Sequence, residues 1–413
     1  MTVLNSLNTK RSLFAVFCTV FIDLVGFGLI VPILPILFLN PDNINYLLPA
    51  NSSTYYSLII YGLLLGTFPL AQFLATPILG QLSDHYGRRK ILLISLFGSL
   101  IAYSLLATGI VFKSLPLLFF ARILDGITGG NIAVAQAVVG DVSTKETSAK
   151  NFGLIGGAFG LGIVLGPFLG GHLSAWGGPI TPFISVALVN LLNIIFVFKF
   201  LPETNPRPLD EKIEKINWSK SWSDIWKAFT LKKLRIILLT SFLYQAGFTF
   251  LTTFANPFFI DRFGWHEQQI GNFFGYIGIW LVITQAIIIR WTLKFDQRKL
   301  LAFSLLASSI FTALILLPRQ EYILYAVAPF FAIFVGLVNA NITSVVSHMS
   351  DSGKQGEGIG VNSSVQALAQ ALPPILSGFI SFGSVSLPIW ISVVVLFFGW
   401  LVFIKWFNFD QNY

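Results

Sequence analysis

Charge is what this chain has least of. Among 413 residues, 26 are Lys or Arg and 18 are Asp or Glu, so charged side chains make up only 11%. A soluble domain carries about a quarter charged residues. Forty-four charged side chains cannot coat a water-exposed surface of this size. Cysteine is nearly absent too. The single one, Cys18, lies in an apolar run, which excludes a disulfide framework and a cysteine metal centre. It reads as a small hydrophobe. No His/Cys/carboxylate cluster has metal-ligand spacing, no glycine loop is built to cradle phosphate, and no nucleophilic triad is visible. No cofactor is therefore expected, and a membrane enzyme is disfavoured.

What is present is apolar. Hydrophobic residues make up 55% of the chain, and mean hydropathy is +0.77. Apolar runs fall near 12–39, 54–79, 91–112, 116–140, 152–172, 180–200, 234–260, 269–291, 299–317, 323–349, 359–381 and 387–407. Each is long enough for a helix to cross a bilayer, which takes about 20 residues. The run that starts at Ser12 is too long for a signal-peptide core, so it reads as a retained first span. The expected fold class is all-α membrane: twelve transmembrane helices, arranged as two six-helix bundles.

One connection is long. Residues 201–233 hold Pro202, Pro206, Pro208 and mixed charges from Asp210 to Lys233. Trp218, Trp222 and Trp226 are spaced by four, so in a helix they share one face, as expected of a segment resting on the membrane interface. This linker separates an N-terminal bundle, residues 1–200, from a C-terminal bundle, residues 234–413. With the N-terminus in the cytoplasm, 22 of the 26 basic residues fall on the cytoplasmic side. Lys113, Arg262 and Arg319 fall outside, and Arg122 lies within a span. This asymmetry is the positive-inside signature. It accounts for the net charge of +8 without nucleic acid. Both termini are expected to be cytoplasmic, in a multi-pass protein of the cytoplasmic membrane.

The halves echo each other. Asn131-Ile132 precedes Asp141 by the interval at which Asn341-Ile342 precedes Asp351. Gly153, Pro167 and Gly171 match Gly360, Pro374 and Gly378 at one constant offset. Asp84 with Arg88-Arg89-Lys90 is mirrored by Asp296 with Arg298-Lys299. Duplicated halves are a transporter plan, with the substrate site between them near mid-membrane.

Charges inside a span are functional candidates by default. Asp23 lies near the middle of the first span; Arg122 and Asp125 lie three apart in the fourth, on one helix face. Two carboxylates and one guanidinium leave one excess negative charge. A low dielectric favours the neutral form of a carboxylate, whereas a nearby guanidinium favours the charged form. Asp23 is thus the expected proton-coupling residue, and Asp125 with Arg122 a switchable pair. The C-terminal half offers only neutral polar candidates for a cavity: Tyr244, Gln245, Asn339, Asn341 and Gln366, with Asn256, Asn272, Gln285, Asn362 and Gln370 also inside its spans. His172 and His348, near span ends, read as interfacial. Gly153, Gly156, Gly157 and Gly160 read as a close-packing helix face.

Four segments together resemble the major facilitator superfamily, in its tetracycline-efflux-like branch of drug:proton antiporters. The loop Gly80-Gln-Leu-Ser-Asp84-His-Tyr-Gly87-Arg88-Arg89-Lys90 is similar to the superfamily's signature loop, with His85 where an arginine is usual. The resemblance implies a cytoplasmic gate of Gly80, Asp84, Gly87, Arg88 and Arg89, with Asp141 as a partner. The first span, from Asp23 through Gly26, Gly28 and Pro32 to Pro35, looks like the branch's first helix, whose aspartate handles protons or substrate. In the fourth span Arg122 and Gly126 match the family, while Asp125 stands where many relatives are neutral. The fifth span carries the antiporter signature in full at Gly162, Gly166, Pro167, Gly170 and Gly171. There Pro167 removes a helix hydrogen bond and small residues permit close contact.

The expectation is a proton-coupled secondary transporter, an antiporter exporting a small neutral or cationic amphiphile by alternating access. Its partners would be protons, a small-molecule substrate and the lipid bilayer, and its expected state is a monomer. A symporter or metabolite exporter on the same fold is the alternative. A non-transporting sensor or lipid-binding protein is a rival of another class.

Overall fold

The computed structural model describes residues 2–143, 147–205, 234–292, 294–349 and 355–407, with positions 218–219, 222–223, 226 and 230 in the linker. Among these, every regular element is helical. A lipid-embedded backbone has no water to bond, so each span must satisfy its own N–H and C=O groups, and helices do this.

The first to third spans are Thr2–Leu39, Thr54–Tyr86 and Arg88–Val111. The fourth is broken into Leu115–Thr128 and Asn131–Asp141. The fifth and sixth are Ser148–Gly177 and Thr181–Phe200. The seventh is Arg235–Phe263. The eighth runs as Glu267–Ile283, a π-helical turn at Thr284–Ile288, and Ile289–Thr292. The ninth to twelfth are Gln297–Leu316, Glu321–Met349, Gln355–Ile380 and Leu387–Trp406. Eleven of the twelve are long and apolar enough to cross a membrane. The exception is Gln355–Ile380, diluted by Gln355, Glu357, Asn362, Gln366 and Gln370, yet it packs along the second and seventh spans as a full member of the bundle. Much of the linker, including Pro206, Pro208 and the charges from Asp210 to Lys215, lies outside the described residues.

Glycine decides which helices meet. A Cβ built at Gly28 of the first span would stand 2.8 Å from Pro167 Cδ and 2.9 Å from Gly166 Cα of the fifth. At Gly126 in the fourth span it would stand 2.4 Å from the Phe68 carbonyl oxygen of the second. Lipid tails are as apolar as leucine, so close backbone packing holds helices together where hydrophobic burial cannot.

Two seams join the halves. The second span meets the eleventh: Cβ positions at Gly62 and Gly378 would lie 2.5 Å from Pro374 O and 2.9 Å from Leu58 O. The fifth meets the eighth, where those at Gly171 and Gly271 would lie 2.3 Å from Glu267 O and 2.7 Å from Pro167 O. Both seams are tight only at the end remote from the basic loops. Toward the basic end the fifth–eighth contact relaxes to 3.8 Å between Gly160 and Gln285, and nothing lies within 4 Å of Gly156 or Gly157. The expected packing face at Gly156 and Gly157 is therefore a correction: it borders open space, because the seam has already parted there. The contacts of Gly153 lie outside the described residues.

The apolar cores repeat this division. One large cluster at the closed end draws on both halves, from Leu29, Tyr61 and Phe183 to Phe254, Trp265 and Ile389. At the basic end two clusters stand apart, one confined to the first half and one to the second. Cross-half hydrogen bonds also gather at the closed end. Tyr61 Oη donates to Thr253 O at 3.0 Å and Asn256 Nδ2 to Val31 O at 2.8 Å. The described protein is thus a V, shut at one end and parted at the other.

Enlarging a close-packed glycine should destabilise the bundle, whereas enlarging an open one should not. Gly166→Val forces a side chain into the first-span backbone and is expected to lose about 1–3 kcal/mol. Gly156→Ala, beside open space, should cost little. Thermal unfolding of the two purified variants in detergent checks the contrast.

Candidate functional site

The site forms where the fourth span breaks. Gly126, Gly129 and Gly130 all press on the second span, against Phe68, Ala71, Thr76 and Leu79. The break frees the Gly129 carbonyl, and Gln72 of the second span donates Nε2 to it at 2.8 Å. Non-helical backbone at membrane depth survives only with such a partner. Arg122 and Asp125 stand just before the break, and Asn131 just after it.

Arg122 Nη1 lies 3.3 Å from Asp125 Oδ2, with the two side chains 1% and 4% exposed. The guanidinium also lies over the Phe68 ring, 4.6 Å from its centroid. Both contacts stabilise a buried cation. Arg122 Nε has no partner among the described residues. Tyr103 of the third span completes the group. Its hydroxyl abuts Gly26, where a Cβ would come within 2.4 Å, and it lies in electrostatic reach of Arg122, Asp125 and Asp23. Gly26 is thus glycine because Tyr103 must pass.

Asp23, half-buried on the first span, faces this group. Asn131 and Asp125 are near enough to act on its carboxylate. Yet its Oδ2 is buried without a hydrogen-bond partner among the described residues, and so are both side-chain polar atoms of Asn131. Asn190 of the sixth span is fully buried with both polar atoms unpartnered as well. It sits at the depth of Asp23, between Val186, which touches Gly26, and Asn193, which donates to Thr19 Oγ1 at 3.3 Å. Unpartnered buried polar groups are rare in folded proteins. Here Asn131 lies beside the Asp23 carboxylate.

The three intramembrane charges named from sequence are thus brought together. The basic-end residues also converge. Arg88 Nη1 lies 2.6 Å from Asp84 Oδ1, and Arg88 Nε lies 3.1 Å from Asp141 Oδ2. Arg88 Nη1 also donates to Ser83 Oγ at 2.7 Å. Arg89 donates to Phe198 O. Sequence reasoning missed Glu203. Its carboxylate accepts the backbone N–H groups of Arg88 at 2.8 Å and Arg89 at 3.2 Å, capping the third span. It approaches so closely because Gly87, at φ 93°, has no Cβ to block it. Gly80 faces open space. In the antiporter-signature helix, Gly162, Gly166 and Gly170 press on the first span, while Gly171 presses on the eighth.

The polar candidates of the second half divide. Tyr244 is fully buried and donates to Val335 O at 3.2 Å, and Asn341 is buried and donates to Leu337 O at 2.7 Å. Both bonds lie within the second half, so these two are structural contacts. Gln245 and Gln366 are partly exposed, bonded to Thr249 and Ser241, and Asn339 is exposed. His172 is not merely interfacial: it bonds Asn272 of the other half at 2.9 Å. The His348 side chain and Asp351 lie outside the described residues. Gln72, Phe68, Tyr103, Asn190 and Glu203 carried no motif. Their only signal was a polar or aromatic residue set into, or just after, an apolar run.

Comparison with known proteins agrees with this geometry. The family model described as Major Facilitator Superfamily matches residues 16–282 and 237–411. The chain is 31% identical over 363 residues to the class D tetracycline resistance protein of Salmonella ordonez, covering 87% of this chain and 86% of that one. It is 28% identical over 378 residues to the class C protein of Escherichia coli, covering 90% and 89%. The crystal structure of the human organic anion transporter MFSD10 superimposes with a TM-score of 0.73 at 24% identity, covering 96% of this chain and 99% of that one. The chain belongs to the major facilitator superfamily, on its tetracycline-efflux-like branch. It is a multi-pass membrane transporter of the proton-coupled efflux type, not an enzyme.

Breaking the buried pair should cost more than removing it. Asp125→Asn leaves the Arg122 charge uncompensated, a loss of about 3–5 kcal/mol. The double variant Arg122→Leu with Asp125→Leu should recover part of that loss. Thermal unfolding of both in detergent is the check.

Proposed function

We propose that this protein is a proton-driven antiporter of the cytoplasmic membrane, exporting a small neutral, zwitterionic or cationic amphiphile, with Asp23 as its proton-coupling group. The observation that carries the reading is the Asp23 carboxylate. Among the described residues it is the intramembrane charge without an ion-pair partner, set beside a buried pair and next to the Asn131 amide. A carboxylate so placed exchanges a proton for a polar group of a ligand at small energetic cost, which is what antiport requires.

The end where the halves part carries Arg88, Arg89, Lys90, Lys199, Arg235 and Lys405. By the positive-inside rule it faces the cytoplasm, as do both termini. The described conformation is then inward-facing. Substrate enters from the cytoplasm or the inner leaflet and meets ionised Asp23. After the halves rock, a proton from outside neutralises Asp23 and weakens its hold on the cargo. Coupling requires only that the proton bind one state more tightly than the other. Asp84, Arg88 and Asp141 act as a clamp within the first half, fixing the second, third and fourth spans as one rigid body at the opening.

The site's net charge of one negative disfavours an anionic cargo. The named activity of the 28–31% identical relatives makes a tetracycline the first compound to try. The protein is proposed to work as a monomer, since the six-plus-six bundle already encloses the site.

Asp23→Asn is expected to abolish transport driven by a pH gradient in proteoliposomes while leaving substrate counterflow measurable. Wild-type protein in detergent should release protons when substrate binds. Gradient-driven transport that persists in Asp23→Asn would remove Asp23 from the mechanism, and proton uptake on binding would indicate symport instead.

A further inference from the structure

Ile59, Gly66, Phe73 and Gly80 lie seven residues apart on the second span. In a helix that spacing places them on one stripe. The upper part of the stripe is the seam with the eleventh span. A Cβ at Gly66 would stand 2.5 Å from Ile375, and Gly378 packs on the backbone of Ile59. The stripe then leaves the eleventh span. At its lower end nothing lies within 4 Å of Gly80, nor of Gly360 on the eleventh. Phe73 lies between these levels. A large apolar ring at a parted seam should be exposed, yet Phe73 is 1% exposed. Trp222 of the linker packs on it edge to face, with ring centroids 5.4 Å apart and planes at 85°.

Trp222 thus occupies the face of the second span that carries the eleventh span higher up. Its fellows Trp218 and Trp226 are each 72% exposed. The expected interfacial stripe is therefore not uniform: Trp222 is 55% exposed, less than the other two, and its ring rests on Phe73. Closing the V at the basic end requires the eleventh span to advance along the stripe toward Phe73. Trp222 stands in its way.

We propose that Trp222 is a wedge, a linker side chain that occupies the Phe73 face only while the basic end is parted, and so biases the transporter toward its cytoplasm-open state. It deepens the alternating-access reading and rests on it. The contact exists in one state and is lost in the other, which is the differential interaction a population shift needs. The linker, which joins the halves in sequence, thereby regulates how they meet in space.

The test places spin labels at Gly140→Cys and Gly360→Cys, two open positions on opposite halves at the basic end, in a Cys18→Ala background. Pulsed electron–electron distances then report the parted and closed populations. Trp222→Ala should lower the parted-to-closed ratio about two- to tenfold, the range expected for loss of one aromatic pair. Trp222→Phe, which keeps a ring, should retain most of the ratio. Phe73→Ala should act in the same direction, and the double variant should shift little further than either single one. Two populations whose ratio is unmoved by Trp222→Ala, or fully additive effects of the two alanines, overturn the wedge while leaving alternating access intact. A single distance in wild type and every variant, at all pH values and with substrate, overturns both.

Discussion

Everything in this molecule depends on how closely two helix backbones can approach in lipid. Water does not drive helices together inside a bilayer, so association rests on packing and on bonds between polar groups. The pairs Gly28 with Gly166, Gly62 with Gly378, and Gly171 with Gly271 supply that packing. The first holds a half together; the other two hold half to half. They differ in kind. Gly28 and Gly166 lie in one rigid body, whereas the seam glycines meet across a boundary that must open. The same residue type therefore serves as permanent bond and as releasable latch, according to which helices carry it.

The charged site follows from the same packing. Three glycines bring the fourth span so close to the second that the helix breaks, and Gln72 repairs the break by bonding the freed carbonyl. Gly26 admits Tyr103 in the same way. With the helices this close, Arg122 is sealed from solvent and must find its compensation locally, in Asp125 and the face of Phe68. Asp23 is left as the charge without a fixed counter-ion among the described residues. It lies beside Gly26 and Gly28, on the stretch of the first span that packs on the fifth. A change in its protonation is therefore made inside the first half, one helix away from the moving fifth–eighth seam.

Much of this was legible in the residues. Charge scarcity and apolar runs predict the spans because the bilayer admits few other structures. The eleventh span is the weakest on apolarity, since Asn362, Gln366 and Gln370 dilute it. Arg122, Asp125 and Asp23 stood out because ionisable groups are costly at that depth. What stayed hidden is tertiary. Gln72 and Glu203 act on backbone atoms 57 and 115 residues away, and no local pattern encodes such a bond. Gly156 and Gly157 mark a helix face able to pack, but small side chains do not say in which conformation it does so. Tyr244 and Gln245 are neighbours of similar polarity, yet only one is fully buried, because helix rotation and not residue type decides.

The two conformations must lie close in free energy for a single proton to choose between them. Moving a two-state balance from 1:99 to 99:1 takes about 5.5 kcal/mol of differential binding, near the upper limit of what one buried carboxylate supplies. The internal resemblance of the halves helps here. A seam of small residues lost at one end is replaced by a similar seam gained at the other: the second span presents Gly62 and Gly66 above and Gly80 below, and the fifth presents Gly171 above and Gly156 with Gly157 below. Packing then nearly cancels in the difference, and the remainder is small enough for weak contacts to matter. On that scale an aromatic pair between the linker and the second span, about 0.5–1.5 kcal/mol, is smaller than a proton on Asp23 yet enough to tilt the balance. One ring of the linker can therefore set the resting state, while the charge in mid-membrane drives each departure from it.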